Sequence, residues 1–224
     1  MRYPLAERFK APQGEGLFTG VPMAFLRTVG CSVGQGICTF CDTDFSRTIP
    51  ELGGGVYTVD ELVSWVGDYK HVCLTGGEPL DRDLRPLILG LVEDSLCHIE
   101  TSGTVHPDWL GAIYGEGRHA LHLEGEWECY PLWVCVSPKP GYRDDMIKLA
   151  DEVKVIIGGL GDGDGWPSLD DAVRWADQGK LVYVQPRNAV KDIDRKNLDE
   201  VLTVVDLYPQ LRLSCQLHKF LVTR

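Results

Sequence analysis

Three cysteines, Cys31, Cys38 and Cys41, fall inside the stretch GCSVGQGICTFCDTDF, with Asp42 directly after the last. Three explanations compete for them. Buried reduced cysteine fits poorly, because the segment is Gly-rich and turn-prone and follows a candidate strand. A structural zinc site needs four closed ligands and typically pairs one CxxC with another. Cys38 and Cys41 form the sole CxxC, so zinc would need Cys31 plus a distant histidine. An iron–sulfur cubane held by three thiolates accounts better for the number. It leaves one iron open, where a substrate or cofactor can coordinate. Four other cysteines, Cys73, Cys97, Cys135 and Cys215, fall on predicted strands and read as buried thiols; Cys129 has no assignment.

Something must position such a loop, and the rest of the chain supplies it as alternating strands and helices. Apolar runs predict strands over Met23–Val29, His71–Thr75, Cys97–Thr101, Leu132–Val136, Glu152–Ile157, Leu181–Val184 and Leu211–Leu217. Amphipathic stretches between them predict helices over Val59–Val66, Arg82–Glu93, Pro107–Gly115, Tyr142–Ala150, Leu169–Gln178 and Asn197–Tyr208. The first helix opens on TVDE, where Thr58 can cap and Glu61 can close a capping box. Alternation of this kind predicts a mostly parallel sheet covered by helices. Ligands of such sheets bind at the carboxyl edge of the strands. Here that edge reads TGGEP, ETSG, VSPK and VQPRN, a site laid out along one rim. Gly53–Gly55 and Gly158–Gly165 read as exposed turns. GDGDG lacks the spacing and terminal Glu of an EF-hand.

Composition narrows the function classes. The 224 residues fit one domain, 1–224, with 44% hydrophobic and 25% charged residues. The formal net charge of −11 argues against a nucleic-acid partner. No apolar run approaches the ~20 residues of a membrane span, and MRYPLAERFK lacks a signal-peptide core. A cytoplasmic location is therefore expected. In such a reducing compartment eight cysteines point toward metal before disulfides.

With those residues in view, the chain resembles the radical S-adenosylmethionine superfamily, through a cysteine loop after the first strand and TGGEP after the next. The usual C-x3-C-x2-C spacing is widened here, since six residues, Ser32 to Ile37, separate the first two cysteines. The longer loop costs little entropy. The chain resembles more closely, from end to end, the 7-carboxy-7-deazaguanine synthase family. The shared segments are QGEG (Gln13–Gly16), FLRTVGC (Phe25–Cys31), CTFCDTDF (Cys38–Phe45), LTGGEP (Leu74–Pro79), ETSG, SPK, QPRN and the tail LSCQLHKFLVTR.

The resemblance implies an abbreviated α/β fold, a partial (β/α)6-type barrel. It also implies a [4Fe-4S] cluster on Cys31, Cys38 and Cys41, with S-adenosylmethionine chelating the open iron. Phe40, Cys41, Asp42, Gly77, Ser137, Pro138, Lys139, Gln185, Pro186, Arg187 and Asn188 would line that cofactor. The family contracts 6-carboxy-5,6,7,8-tetrahydropterin to 7-carboxy-7-deazaguanine with loss of ammonia. By resemblance its substrate pocket comprises Pro12, Gln13, Gly14, Glu15, Arg27, Thr75, His218 and the chain-end carboxylate of Arg224. Arg27 would grip the substrate carboxylate through its planar fork. Thr43 would lend its hydroxyl to magnesium; on the residues alone it reads as an Asx-turn residue, Arg27 as a surface charge and His218 as a core histidine. The family further implies an electron donor such as flavodoxin or ferredoxin, and a homodimer. Two readings of other classes stay open on sequence: an enzyme that activates a partner protein by placing a glycyl radical on it, and a metal-stabilised binding module.

Overall fold

The structure is a computed structural model that describes residues 1–34, 36–114, 132–158 and 164–221. Six parallel strands carry the fold: β2 (Pro22–Thr28), β4 (His71–Gly76), β5 (Leu96–Thr101), β6 (Leu132–Val136), β7 (Glu152–Ile157) and β8 (Leu181–Pro186). They alternate with helices α1 (Val59–Val66), α2 (Arg85–Leu91), α3 (Asp108–Tyr114), α4 (Asp144–Leu149), α5 (Leu169–Asp177) and α6 (Arg195–Leu207). A two-residue strand, β9 (Arg212–Leu213), ends the sheet, followed by a short helix, α7 (Leu217–Leu221). On the other side the sheet continues antiparallel through β1 (Arg2–Pro12) and β3 (Gly55–Thr58). The order β3-β1-β2-β4-β5-β6-β7-β8-β9 leaves the sheet unclosed, a partial barrel of mostly parallel strands.

Strand periodicity explains the two faces. Ala24 and Leu26, Val72 and Leu74, Cys97 and Ile99, Val153 and Val155, and Val182 and Val184 point to one side. There they form a single core with Leu62, Leu87, Ile88, Met146, Trp175 and Val201 of the helices. The intervening residues face the concave side. Its floor holds Met23, Phe25 and Cys73 with Phe9 and Phe18 packed on them, and beside these His71 meets His98 at 3.0 Å. The capping box expected at α1 is present, with Thr58 and Glu61 each accepting from the other's backbone N–H. No helix of the described residues is long and apolar enough to cross a membrane.

Several expectations are corrected. β1 was not anticipated, since Arg2, Glu7, Arg8 and Lys10 break its apolar pattern. In place, Arg8 lies 4.1 Å from the centroid of the Tyr57 ring and Lys10 lies 4.5 Å from that of Tyr69, so the cations cover aromatic rings while the strand pairs. The helix expected from Arg82 begins only at Arg85, behind a 3-10 turn at Pro79–Asp81. Arg82 is extended and donates to Val29 O at 2.7 Å, which holds it out of the helix. The strand expected over Leu211–Leu217 shrinks to β9, so Cys215 lies past it, half-buried. Gly54 is no exposed turn; it is buried, and an added Cβ would stand 2.2 Å from Ala6 O. Gly158 is buried against Asn197, while residues 159–163, which hold most of GDGDG, and Cys129 lie outside the described residues.

Candidate active site

A cavity of about 220 Å³ opens at the carboxyl edge of the parallel strands. All four rim segments reach it: Thr75 and Gly77 at the end of β4, Glu100 to Ser102 at the end of β5, Ser137 and Lys139 just after β6, and Gln185 to Asn188 at the end of β8. The cysteine loop closes one side with Cys31, Cys38, Phe40, Cys41, Asp42 and Thr43. The residues named for the cluster and for its cofactor therefore line one space, apart from Pro138, which is buried between Ser137 and Lys139.

The rim and the loop meet at glycine. A Cβ on Gly77 would sit 2.1 Å from Gly30 O and 2.4 Å from Cys31 Cβ, so only glycine allows the contact. Glu78 then locks the rim from beneath. Its buried carboxylate accepts from Leu80 N at 3.0 Å, Thr101 Oγ1 at 2.7 Å and Ser102 N at 2.8 Å, and from the Ser102 hydroxyl. Burial raises the Glu78 carboxyl above its usual range despite these donors. Thus TGGEP and ETSG are one hydrogen-bonded unit.

No group of three or more His, Cys, Asp or Glu side chains is gathered at metal-binding separation among the described residues. The donor set nonetheless fits an iron–sulfur cluster: three thiols facing one cavity, with Gly77 letting the rim backbone approach Cys31. Burial pushes the Cys38 thiol up, whereas the Lys139 ammonium favours its thiolate. Burial likewise depresses Lys139, which donates to Ser137 O at 2.8 Å and Ser137 Oγ at 2.7 Å. Phe40 packs on Trp166 with ring centroids 5.7 Å apart.

The substrate residues named from sequence are only partly brought together. Glu15 and Thr75 line the cavity. Pro12 ends β1 opposite Pro22, and Gln13 is buried, donating from Nε2 to Glu100 at 3.3 Å. The Gln13 and Gly14 carbonyls accept from Gly20 N and Leu217 N at 2.8 and 3.0 Å. Arg27 is outside the lining and pairs with Glu7 at 2.7 Å. His218 is also outside it, 3.5 Å from Asp42, which Lys219 contacts at 3.2 Å. Burial would raise the Asp42 carboxyl, but His218 and Lys219 hold it down at about 2. Thr43 Oγ1 lies 3.5 Å from Asp42 Oδ1. Arg224 lies outside the described residues.

Sequence reasoning missed the charged centre of the site. Lys154, with a side chain 4% exposed, bridges Glu15 at 2.7 Å and Glu100 at 2.8 Å. Burial alone would depress its ammonium, but Cys135, Glu100, Glu15 and Glu152 around it hold it well above its ordinary value. A lysine inside the apolar run EVKVII was the available signal, because a buried strand excludes an unpaired charge.

Comparison with known proteins then decides the family. No family model matches the chain. The chain is 31% identical to 7-carboxy-7-deazaguanine synthase of Escherichia coli (strain K12), over 99% of both chains. It is 34% identical to the Synechocystis sp. enzyme of the same name, over 99% of this chain and 94% of that one. This chain belongs to the 7-carboxy-7-deazaguanine synthase family. Its fold agrees with the crystal structure of QueE from Escherichia coli, at a TM-score of 0.66 and 27% identity over 97% of this chain and 95% of that one. Family membership disfavours the protein-activating enzyme and the binding module, since relatives carrying a small-molecule synthase name match over nearly full length.

Proposed function

We propose that the protein contracts 6-carboxy-5,6,7,8-tetrahydropterin to 7-carboxy-7-deazaguanine, releasing ammonia. The observation that carries this reading is one cavity, in a chain of this family, lined by three thiols and by a carboxylate pair clamped on Lys154. Cys31, Cys38 and Cys41 would hold a [4Fe-4S] cluster, and the rim from Gly77 through Ser137 and Lys139 to Gln185–Asn188 would hold S-adenosylmethionine. Together these groups, when bound, would supply the one-electron chemistry needed to activate a C–H bond of the substrate.

The chain's own residues bind, orient and shield. Glu15 offers acceptor oxygens to the N–H edge of a pterin. Arg27, one strand from Thr75, would exchange Glu7 for the substrate carboxylate. Thr43 at the cavity wall is the proposed hydroxyl ligand of magnesium, which favours hard oxygens and would draw others from substrate and water. The proposal includes a flavodoxin- or ferredoxin-type electron donor and a homodimer.

The test is direct. Enzyme reconstituted anaerobically to about four irons is incubated with carboxytetrahydropterin, S-adenosylmethionine, magnesium and a reductant. Product is sought by mass. Full iron loading with no 7-carboxy-7-deazaguanine would refute the reading.

A further inference from the structure

Lys154 is placed where two acidic side chains from distant parts of the chain converge. Glu15 comes from the loop after β1, and Glu100 from β5. Each gives one oxygen to the Lys154 ammonium and the other to an amide: Glu15 Oε1 accepts from Gln185 at 3.3 Å, and Glu100 Oε1 accepts from Gln13 at 3.3 Å. Glu15, Glu100 and Lys154 all line the cavity. A carboxylate offers about four acceptor sites, so both acids retain capacity toward a ligand.

We propose that Lys154 is a positioning residue that fixes Glu15 and Glu100 side by side as an acceptor pair, and so makes the site selective for a ligand edge carrying several N–H donors. This rests on the pterin reading above and deepens it, because the guanidine-like edge of a pterin is such an edge. The physical reason is mutual repulsion. Two largely shielded carboxylates converging on one ammonium, each about a fifth exposed, repel one another and do not both stay ionised readily once that cation is removed. One would take up a proton and present a donor to the ligand's donors. Lys154 prevents that mismatch.

Other charged or titratable groups bear on the same centre. They are Glu152 of β7, whose carboxyl is raised to about 7 by burial, Cys135 of β6, Cys73 of β4, Lys139 after β6 and His218 of α7. All remain in a Lys154→Met variant; because the ammonium also lowers Glu152, both forms are compared in a Glu152→Gln background as well, which leaves Glu15 and Glu100 as the responding pair.

The test compares wild type, Lys154→Arg and Lys154→Met, each loaded with cluster and S-adenosylmethionine. Binding of 6-carboxypterin is followed by its fluorescence, and KM and kcat are measured with carboxytetrahydropterin. Lys154→Met should lose affinity, and gain KM, on the order of 10- to 100-fold near pH 6. The loss should shrink as pH rises, because the repulsion between the two acids is then overcome and both ionise. kcat at saturation should change less, and Lys154→Arg should keep most of the affinity. A wild-type affinity in Lys154→Met, or a loss equal at every pH, would overturn the role. If Lys154→Met does not fold, Lys154→Met/Glu100→Gln, which removes the surplus charge, decides: weak binding without recovery at high pH supports the proposal, and wild-type affinity overturns it. A wild-type enzyme that binds no pterin and forms no product sinks the functional reading itself, a result distinct from these.

Discussion

At Gly77 the strand-end rim touches the cysteine loop, yet the two regions are held by different means. The rim is made by the sheet. Its segments continue parallel strands whose other face is a helix-covered core, and Glu78 ties two of them through buried hydrogen bonds. Between Gly30 and Phe45 the described loop has no strand or helix, and it is fastened at a few points. Gly30 N donates to Phe45 O at 2.8 Å, Ser32 N to Asp81 at 2.8 Å, and Asp42 meets Lys219 of α7. The rim therefore arrives pre-organised, while the loop depends on tethers and on what its thiols bind. A cavity built this way keeps one wall fixed and lets the other accommodate a large inorganic group.

The sharpest way to separate the two regions is to remove one thiol. Cys31→Ala, Cys38→Ala and Cys41→Ala should each abolish turnover and leave iron content far below wild type, with the fold retained. Cys73→Ala, in the apolar floor beneath the rim, should keep its iron and lose only packing stability, roughly 1 kcal/mol or more. Iron analysis and thermal unfolding of the four variants check this; a Cys73 variant without cluster beside a Cys31 variant with one would invert the comparison.

The contact between the regions is probed next. Gly77→Ala must displace either Gly30 or Cys31, and a shift near 1 Å at the reacting centre should lower kcat/KM on the order of 100-fold. Stability should fall by about 1–3 kcal/mol from overpacking. Near-normal kinetics would show that the loop moves freely and that the glycine contact positions nothing.

Glu78 tests the rim alone. Glu78→Ala strands Ser102 N and Leu80 N in the interior and should cost about 1–3 kcal/mol in urea unfolding. Glu78→Gln keeps the shape, and pH then separates charge from packing. The folded-state carboxyl is raised by burial, so the native protein holds its proton to higher pH than the unfolded chain does. Wild type should thus lose stability as pH rises from near 4.5 through the folded-state value, and Glu78→Gln should flatten that slope. An unchanged slope would mean that the carboxyl is not the titrating group.

The smallest effect is expected at the loop's tether. Asp42→Asn removes the charge that meets His218 and Lys219. It should cost about 1 kcal/mol, because Asp42 and His218 are partly open to solvent although the Lys219 side chain is shielded. Limited proteolysis within residues 32–45 should accelerate before any change in global unfolding. Equal protection of that segment would place the loop among the rigid parts of the molecule.

Local pattern and tertiary contact divided the information unevenly. The parallel strands and their rim were legible because a strand packed on helices reads as an apolar run, and turn residues mark its end. β1 was not legible, because a flanking antiparallel strand can carry Arg8 and Lys10 over aromatic rings and lose its apolar pattern. The cysteine trio was visible as a donor set, and the family resemblance named its use. That Arg27 would stand paired with Glu7, or His218 with Asp42, was beyond any local window, since each pair is chosen by strand register or by where the tail lands.

By itself, then, the sequence determined which thiols could bind, which strands would carry the site and where along the chain its rim would lie, all of which follow from residue type and short-range spacing. Only the tertiary structure decided that Lys154 stands between Glu15 and Glu100, 139 and 54 residues away. The reason is energetic: a buried cation needs anions close by, and in this chain those anions become neighbours only once the sheet has curved and the loop after β1 has folded over it.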